Sequence, residues 1–141
     1  MPTVAELLRR PAPALRLLVE HDGMRGGPFG ELHDPDGLLV LPAGGAPAGY
    51  QAFSGRERRS GRLALRRGVI RDPFLRRRLV VGAADAPDFV EVVLADERGR
   101  VIARWHLGDV RLLEIAGGRE PTPERYDYVL LEGVVEAIEG E

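Results

Sequence analysis

Val90-Glu91-Val92-Val93-Leu94-Ala95-Asp96-Glu97-Arg98-Gly99-Arg100-Val101-Ile102-Ala103-Arg104-Trp105-His106-Leu107 is the stretch on which the fold turns. Val90, Val92 and Leu94 alternate with Glu91 and Val93, which gives a strand one buried face. Asp96-Glu97-Arg98-Gly99 supplies turn chemistry. Val101, Ala103, Trp105 and Leu107 then alternate with Arg100, Ile102, Arg104 and His106. Two alternating runs around a Gly-containing turn predict an antiparallel β-hairpin with one face on a core. On this spacing Val92, Leu94, Val101, Ala103, Trp105 and Leu107 are core, and Trp105 is a packing residue rather than a ligand platform.

Working outward, Tyr126 to about Ile138 reads as a last strand, with a bulge expected at Glu132-Gly133 where the alternation slips. On the N-terminal side, Asp72-Pro73 reads as N-cap and first residue of a short helix. Its buried side is Phe74, Leu75 and Leu79, and Arg76, Arg77 and Arg78 suit its C-terminal dipole. Leu63-Ala64-Leu65-Arg66-Arg67-Gly68-Val69 is a strand, and so is Leu15-Arg16-Leu17-Leu18-Val19-Glu20-His21-Asp22, with Leu15, Leu17 and Val19 on one face. Thr3-Val4-Ala5-Glu6 has the form of a capping box before Val4, Leu7 and Leu8, and Pro11 ends that helix. So short a helix must dock on its own domain or on a neighbour.

Residues 23–62 are the least regular part. Gly26-Gly27-Pro28, Asp34-Pro35-Asp36-Gly37 and Gly44-Gly45 break the pattern, which leaves Leu38-Leu39-Val40-Leu41 as a short strand inside a long loop or arm. The sum is a single mainly-β domain over 1–141, with a helical extension over 1–12. It is a β-barrel or sandwich of about six strands with two short helices, one N-terminal and one after residues 63–69.

Composition bounds the function. The chain has 141 residues, 44% apolar and 30% charged, as an ordinary globular domain has. No apolar run approaches the roughly 18 residues of a membrane helix, and the N-terminus has no signal-peptide pattern, so synthesis in the cytoplasm without membrane insertion is expected. Cysteine is absent, which removes disulfides, thiolate nucleophiles and Cys-ligated zinc. The formal charge of -2 sets up no field toward nucleic acid. All 20 basic residues are arginine, whose planar fork suits partly desolvated interfaces better than lysine does.

No residue set suggests catalysis. His21-Asp22 and His33-Asp34-Pro35-Asp36-Gly37 have metal-ligand character, but the second lacks the remaining acidic positions and the terminal glutamate of a calcium loop and also reads as an ordinary turn. Ser54 and Ser60 sit in no nucleophile elbow, and Gly26-Gly27-Pro28-Phe29-Gly30 lacks the lysine of a phosphate loop. Glu120 and Glu124 read as solvated loop carboxylates. No enzyme, cofactor or metal is expected. The arginines Arg56, Arg58, Arg59, Arg62, Arg66 and Arg67 have three readings: an inter-subunit surface, a solvated face, or a nucleic-acid patch with Tyr50 and Phe53 to stack on bases.

Taken together these runs resemble the inner-tube proteins of contractile phage-tail-like injection machines. Leu15 to Gly23 followed by Gly27-Pro28-Phe29-Gly30-Glu31 resembles their opening strand and G-F-x-E turn. Residues 63–69 resemble the L-x-L-K/R-R/K-G-V strand, followed by a short helix. The hairpin resembles V-x-I-x-L-x-D-x-x-G-x-x-V-A-R-W-x-L, and Tyr128-Val129-Leu130-Leu131-Glu132-Gly133-Val134 is similar to the closing strand. The likeness covers most of residues 14–138 in the right order.

It implies a barrel-like subunit of hexameric rings that stack into a tube inside a contractile sheath, with sheath, baseplate and spike proteins as partners. Nucleic acid would enter only as cargo, and the product would be an assembled particle, retained or released. Subunit-interface residues expected on this basis are Arg56, Arg58, Arg59, Arg62, Arg66, Arg67, Leu38, Val40, Tyr50 and Phe53. After the tryptophan strand the family commonly carries N-A-W/F-P, whereas here the chain reads Gly108-Asp109-Val110-Arg111-Leu112. With the capped N-terminal helix, that extends the expectation to a minor ring, an initiator or a baseplate adaptor. A small nucleic-acid-binding β-barrel is the alternative from another class.

Overall fold

A computed structural model describes residues 3–9, 15–41 and 49–140. The expected hairpin is β5 (Val90–Ala95) and β6 (Val101–Gly117), joined by a turn in which Asp96 accepts from Arg98 N and Arg100 N, each at 2.9 Å. Around it stand β1 (Arg16–His21), β2 (Met24–His33), β3 (Gly49–Ala52), β4 (Arg59–Val69) and β7 (Arg125–Gly140), with helices α1 (Val4–Leu8) and α2 (Pro73–Arg78). All strand pairs are antiparallel. The order β7-β4-β2-β1-β5-β6 closes through a β6–β7 pairing, so the protein is a closed six-strand barrel, mainly β, with two short helices. Closure joins every barrel strand to two neighbours over part of its length, which limits exposed edges.

The barrel interior is one continuous apolar cluster. Trp105, Phe29, Leu17, Leu63, Leu65, Leu94, Leu107 and Leu131 are its largest fully buried members from the strands. Val92, Leu94, Ala103, Trp105 and Leu107 point inward as the alternation predicts. Val101 does not. The ladder shifts between Leu94 and Ala95, so Val101 lies opposite Ala95 and packs, half-buried, on a second small cluster of Leu18, Val93 and Ala95. One extra residue in a strand reverses every side chain beyond it.

The largest departure concerns residues 23–62, which are not one long loop. Residues 24–33 form β2, because a single bulge absorbs the Gly-Pro break: Leu17 faces Phe29 while Val19 faces Gly26. Pro28 falls within that irregularity, and Gly27 has φ 128, where a Cβ would come within 2.8 Å of Leu18 Cδ2. Residues 38–41 form no strand. Asp34 accepts from Leu38 N and Leu39 N at 2.8 and 2.9 Å, which folds the Pro35-Asp36-Gly37 turn back and drives both leucines into the core.

β3 and β4 lie end to end along one side of β7. Ala52 faces Ala137, Phe53 N donates to Glu136 O at 2.8 Å, and Arg59 faces Val135, so residues 54–58 loop out between them. The bulge expected at Glu132-Gly133 falls elsewhere. Gly61 faces Gly133 without a break, and the extra residue opposite lies on β6, between Gly108 and Arg111, where Asp109 has φ 50.

Both helices dock on the barrel. Thr3 Oγ1 accepts from Glu6 N at 3.2 Å, Val4 is buried, and α1 packs on β2. The Pro11 stop and the Gly44-Gly45 break lie outside the described residues. Asp72 caps α2 through Phe74 N and Leu75 N. Leu75 and Leu79 are buried as expected, but Phe74 is exposed, with the Arg77 guanidinium 5.6 Å from its ring centre. No helix among the described residues is long and apolar enough to cross a membrane.

Candidate assembly surface

The six arginines singled out in the sequence divide into three groups. Arg62 and Arg67 are engaged within the chain. Arg62 Nε lies 3.7 Å from Glu132, which also meets Arg111 at 3.2 Å, and Arg67 reaches Glu31 at 2.8 Å. These pairs are largely exposed, and solvent screening leaves them little weight in stability. Arg66 is exposed on β4, opposite Tyr128 on one side and Glu31 on the other.

Arg56, Arg58 and Arg59 differ. They lie on or beside the 54–58 loop, and none takes part in an ion pair among the described residues. The loop is held by Glu57 N and Arg58 N donating to Ser54 O, each at 3.0 Å. The Glu57 carboxylate is turned back to accept from Ser54 N at 3.2 Å. Arg59 lies 5.9 Å from the Phe53 ring centre, and its Nε is buried with no hydrogen-bond partner among the described residues. Gln51, Phe53, Arg56 and Arg59 line a shallow concavity on this side of the molecule.

Of the other expected interface residues, Tyr50 is 63% exposed on β3, edge-on to His106 with ring centres 5.6 Å apart. Phe53 is half-buried against the core, and Val40 is exposed. Leu38 is fully buried in the chain's own core, so it presents nothing to a neighbour. The His33-Asp34-Pro35-Asp36-Gly37 segment is a structural turn. Asp34 holds Leu38 N and Leu39 N, and Asp36 accepts from Arg62 N at 2.9 Å. His21 is buried, its Nδ1 2.9 Å from Phe89 O, and no group of three metal-ligating side chains converges among the described residues.

Backbone edges complete the surface. β3 is hydrogen-bonded only to β7, so its outer side is open among the described residues, and all four of its residues are exposed. β6 pairs with β5 only as far as Leu107. Beyond it β6 continues to Gly117 with β7 on one side, and on the other Val110 N donates to Asp88 O at 2.9 Å. Among the described residues, open strand edges therefore lie on both flanks of β7. Such edges invite pairing with another chain unless they are blocked.

The sequence reading missed a charge network on the outer face of β1, β5, β6 and β7. Arg104 NH1 bonds Glu20 and, at 2.6 Å, Glu91. Arg25 meets Glu20 at 2.6 Å, and His106 Nδ1 lies 3.3 Å from Glu91. Alternation puts Glu91, Arg104 and His106 on the outer face, but nothing local brings Glu20 beside them. Burial alone would raise the Glu20 carboxyl, yet the bonds from Arg104 and Arg25 outweigh it and hold the group below its ordinary 4.5. A carboxyl depressed in the fold stabilises it above the unfolded value and loses that effect as pH falls through the folded one. Arg104→Met is expected to lower stability at pH 7 by about 1–2 kcal/mol, since it leaves two partly buried carboxylates facing each other. It should also flatten the decline between pH 5 and 3 in urea melts, and an unchanged acid slope would show that Glu20 is not held by Arg104.

No protein-family model matches the chain, and no curated protein matches it.

Proposed function

We propose that the protein is a structural subunit that builds stacked hexameric rings, the inner tube of a contractile phage-tail-like injection machine. The observation that supports this most is the presence, among the described residues, of open strand edges on opposite flanks of β7 in a closed barrel. A surface with two different complementary edges associates head to tail, and such a contact closes into a ring when the rotation between copies permits. The runs that resemble tube proteins are also the frame of that barrel: residues 63–69 lie in β4, the hairpin is β5–β6, and Tyr128 to Val134 lie in β7.

The open portion of β6 begins where the resemblance to a principal tube subunit stops, at Gly108-Asp109-Val110. That favours, as a second reading, a minor ring of the same machine that meets a different neighbour. Its partners in either case are further copies of itself and the sheath, baseplate and spike proteins.

Purified protein is expected to form rings or short tubes in negative stain, with a mass by light scattering that rises with concentration. A monomer at every concentration tested, up to the millimolar range, would remove this reading. Rings that form but never stack alone would favour the minor-ring form of it.

A further inference from the structure

The register along β7 places the 54–58 loop and the open edge of β6 at one height. Arg59 lies opposite Val135 and the loop before it sits beside residues 135–137, while Gly108 lies opposite Val134 and Arg111 opposite Glu132, so the two features adjoin along residues 132–137 of the same strand, on its two sides. Their charges are opposite. On the β4 side Arg56, Arg58 and Arg59 have no carboxylate partner among the described residues, and Glu57 is committed to its own turn. On the β6 side Asp88 abuts the edge through its carbonyl to Val110 N. Asp85 precedes it in the same loop, Asp109 occupies the bulge, and all three are exposed and outside any ion pair among the described residues.

We infer that these two strips are the halves of one contact between copies: the Arg56, Arg58 and Arg59 loop of one subunit receives Asp85 and Asp88 of the next. This rests on the assembly reading above and names the contact that would set the height of one subunit against its neighbour. Rotation about an axis running along β7 brings the strips together without a vertical step, as a flat ring requires and a helical filament does not. Guanidinium–carboxylate pairs that lose water on contact are among the stronger charge-assisted bonds and fix orientation as well.

The test is a charge swap read by sedimentation and electron microscopy. Arg56→Glu/Arg58→Glu and Asp85→Arg/Asp88→Arg change only exposed loop positions, so each variant should keep the wild-type circular dichroism and melting temperature. Each alone sets like charges against each other and is expected to associate at least ten-fold more weakly than wild type. An equimolar mixture restores both kinds of contact when the variants alternate, so it should recover association to within about two-fold.

Variants that assemble as wild type does, or a mixture that fails to recover, would overturn the contact while leaving ring assembly standing. A wild-type protein that never associates removes the assembly reading and the contact with it. Should the arginine variant lose salt-dependent binding of a fluorescent single-stranded oligonucleotide yet assemble normally, the loop serves nucleic acid and the inference is wrong.

Discussion

Trp105→Ala is expected to remove a large share of the fold's stability. Trp105 is fully buried on β6, between Val92 of β5 and Ile138 of β7, and it is the largest side chain of the barrel interior. Truncating a buried aromatic to alanine typically costs about 3–5 kcal/mol, through lost transfer energy and the cavity left behind. A domain of this size has a total stability of roughly 5–15 kcal/mol. Trp105→Phe should behave differently. The indole Nε1 is buried with no hydrogen-bond partner among the described residues, so Trp105→Phe breaks no hydrogen bond to them. Phenylalanine removes that group together with part of the volume, and the two effects oppose, so a net loss below about 1.5 kcal/mol is expected. Urea unfolding followed by far-UV circular dichroism separates the cases. Equal losses for Ala and Phe would mean that the indole N–H is engaged.

That Trp105 faces the core was legible because its hairpin alternates cleanly from Val90 to Leu94 and from Ala103 to Leu107. Legibility ended where the backbone gained or lost a residue. Val101 lies beyond the shift at Leu94 and Ala95, so its side chain turns to the opposite face. The Gly108-Asp109 step looked like the end of a strand, yet it is a bulge after which Val110 and Leu112 resume the buried face. Gly26-Gly27-Pro28 looked like a loop for the same reason. One irregular step in a ladder has the composition of a turn, and only the strand alongside shows that pairing resumes. The assembly surface was legible by residue type alone. Six arginines stood out, but which are engaged depends on Glu31 and Glu132, which reach them from other strands. Leu38 shows the opposite limit: a four-residue apolar run can be a strand or a plug, and two bonds to Asp34 made it a plug.

Gly68→Ala is the second change expected to act strongly, and its sign is not obvious from propensity. Alanine in a strand is ordinarily favoured over glycine by about 0.5–1 kcal/mol, because glycine loses more backbone freedom on folding. Here Gly68 of β4 faces Phe29 of β2, and a Cβ at residue 68 would overlap the ring at Cδ1 and Cε1. Phe29 is itself fully buried, so the ring has no solvent-side rotamer to escape into. Overpacking of this kind typically costs about 1–3 kcal/mol, and the obstacle is an immobile ring rather than a flexible chain end, so a net loss near the upper end of that range is expected. The pairing is aromatic cover over a strand glycine, which pins the register of β2 against β4. If that is the cause, Phe29→Leu should relieve the strain. The double variant Phe29→Leu/Gly68→Ala should lose at least about 1 kcal/mol less than the two single losses added together, as neighbours in contact do. Strict additivity in the urea midpoints would show that the ring is not what excludes a side chain at 68. Relief in the double variant would instead make Phe29 and Gly68, far apart in the chain, two sides of one contact, with the glycine of β4 placed where the ring from β2 needs room.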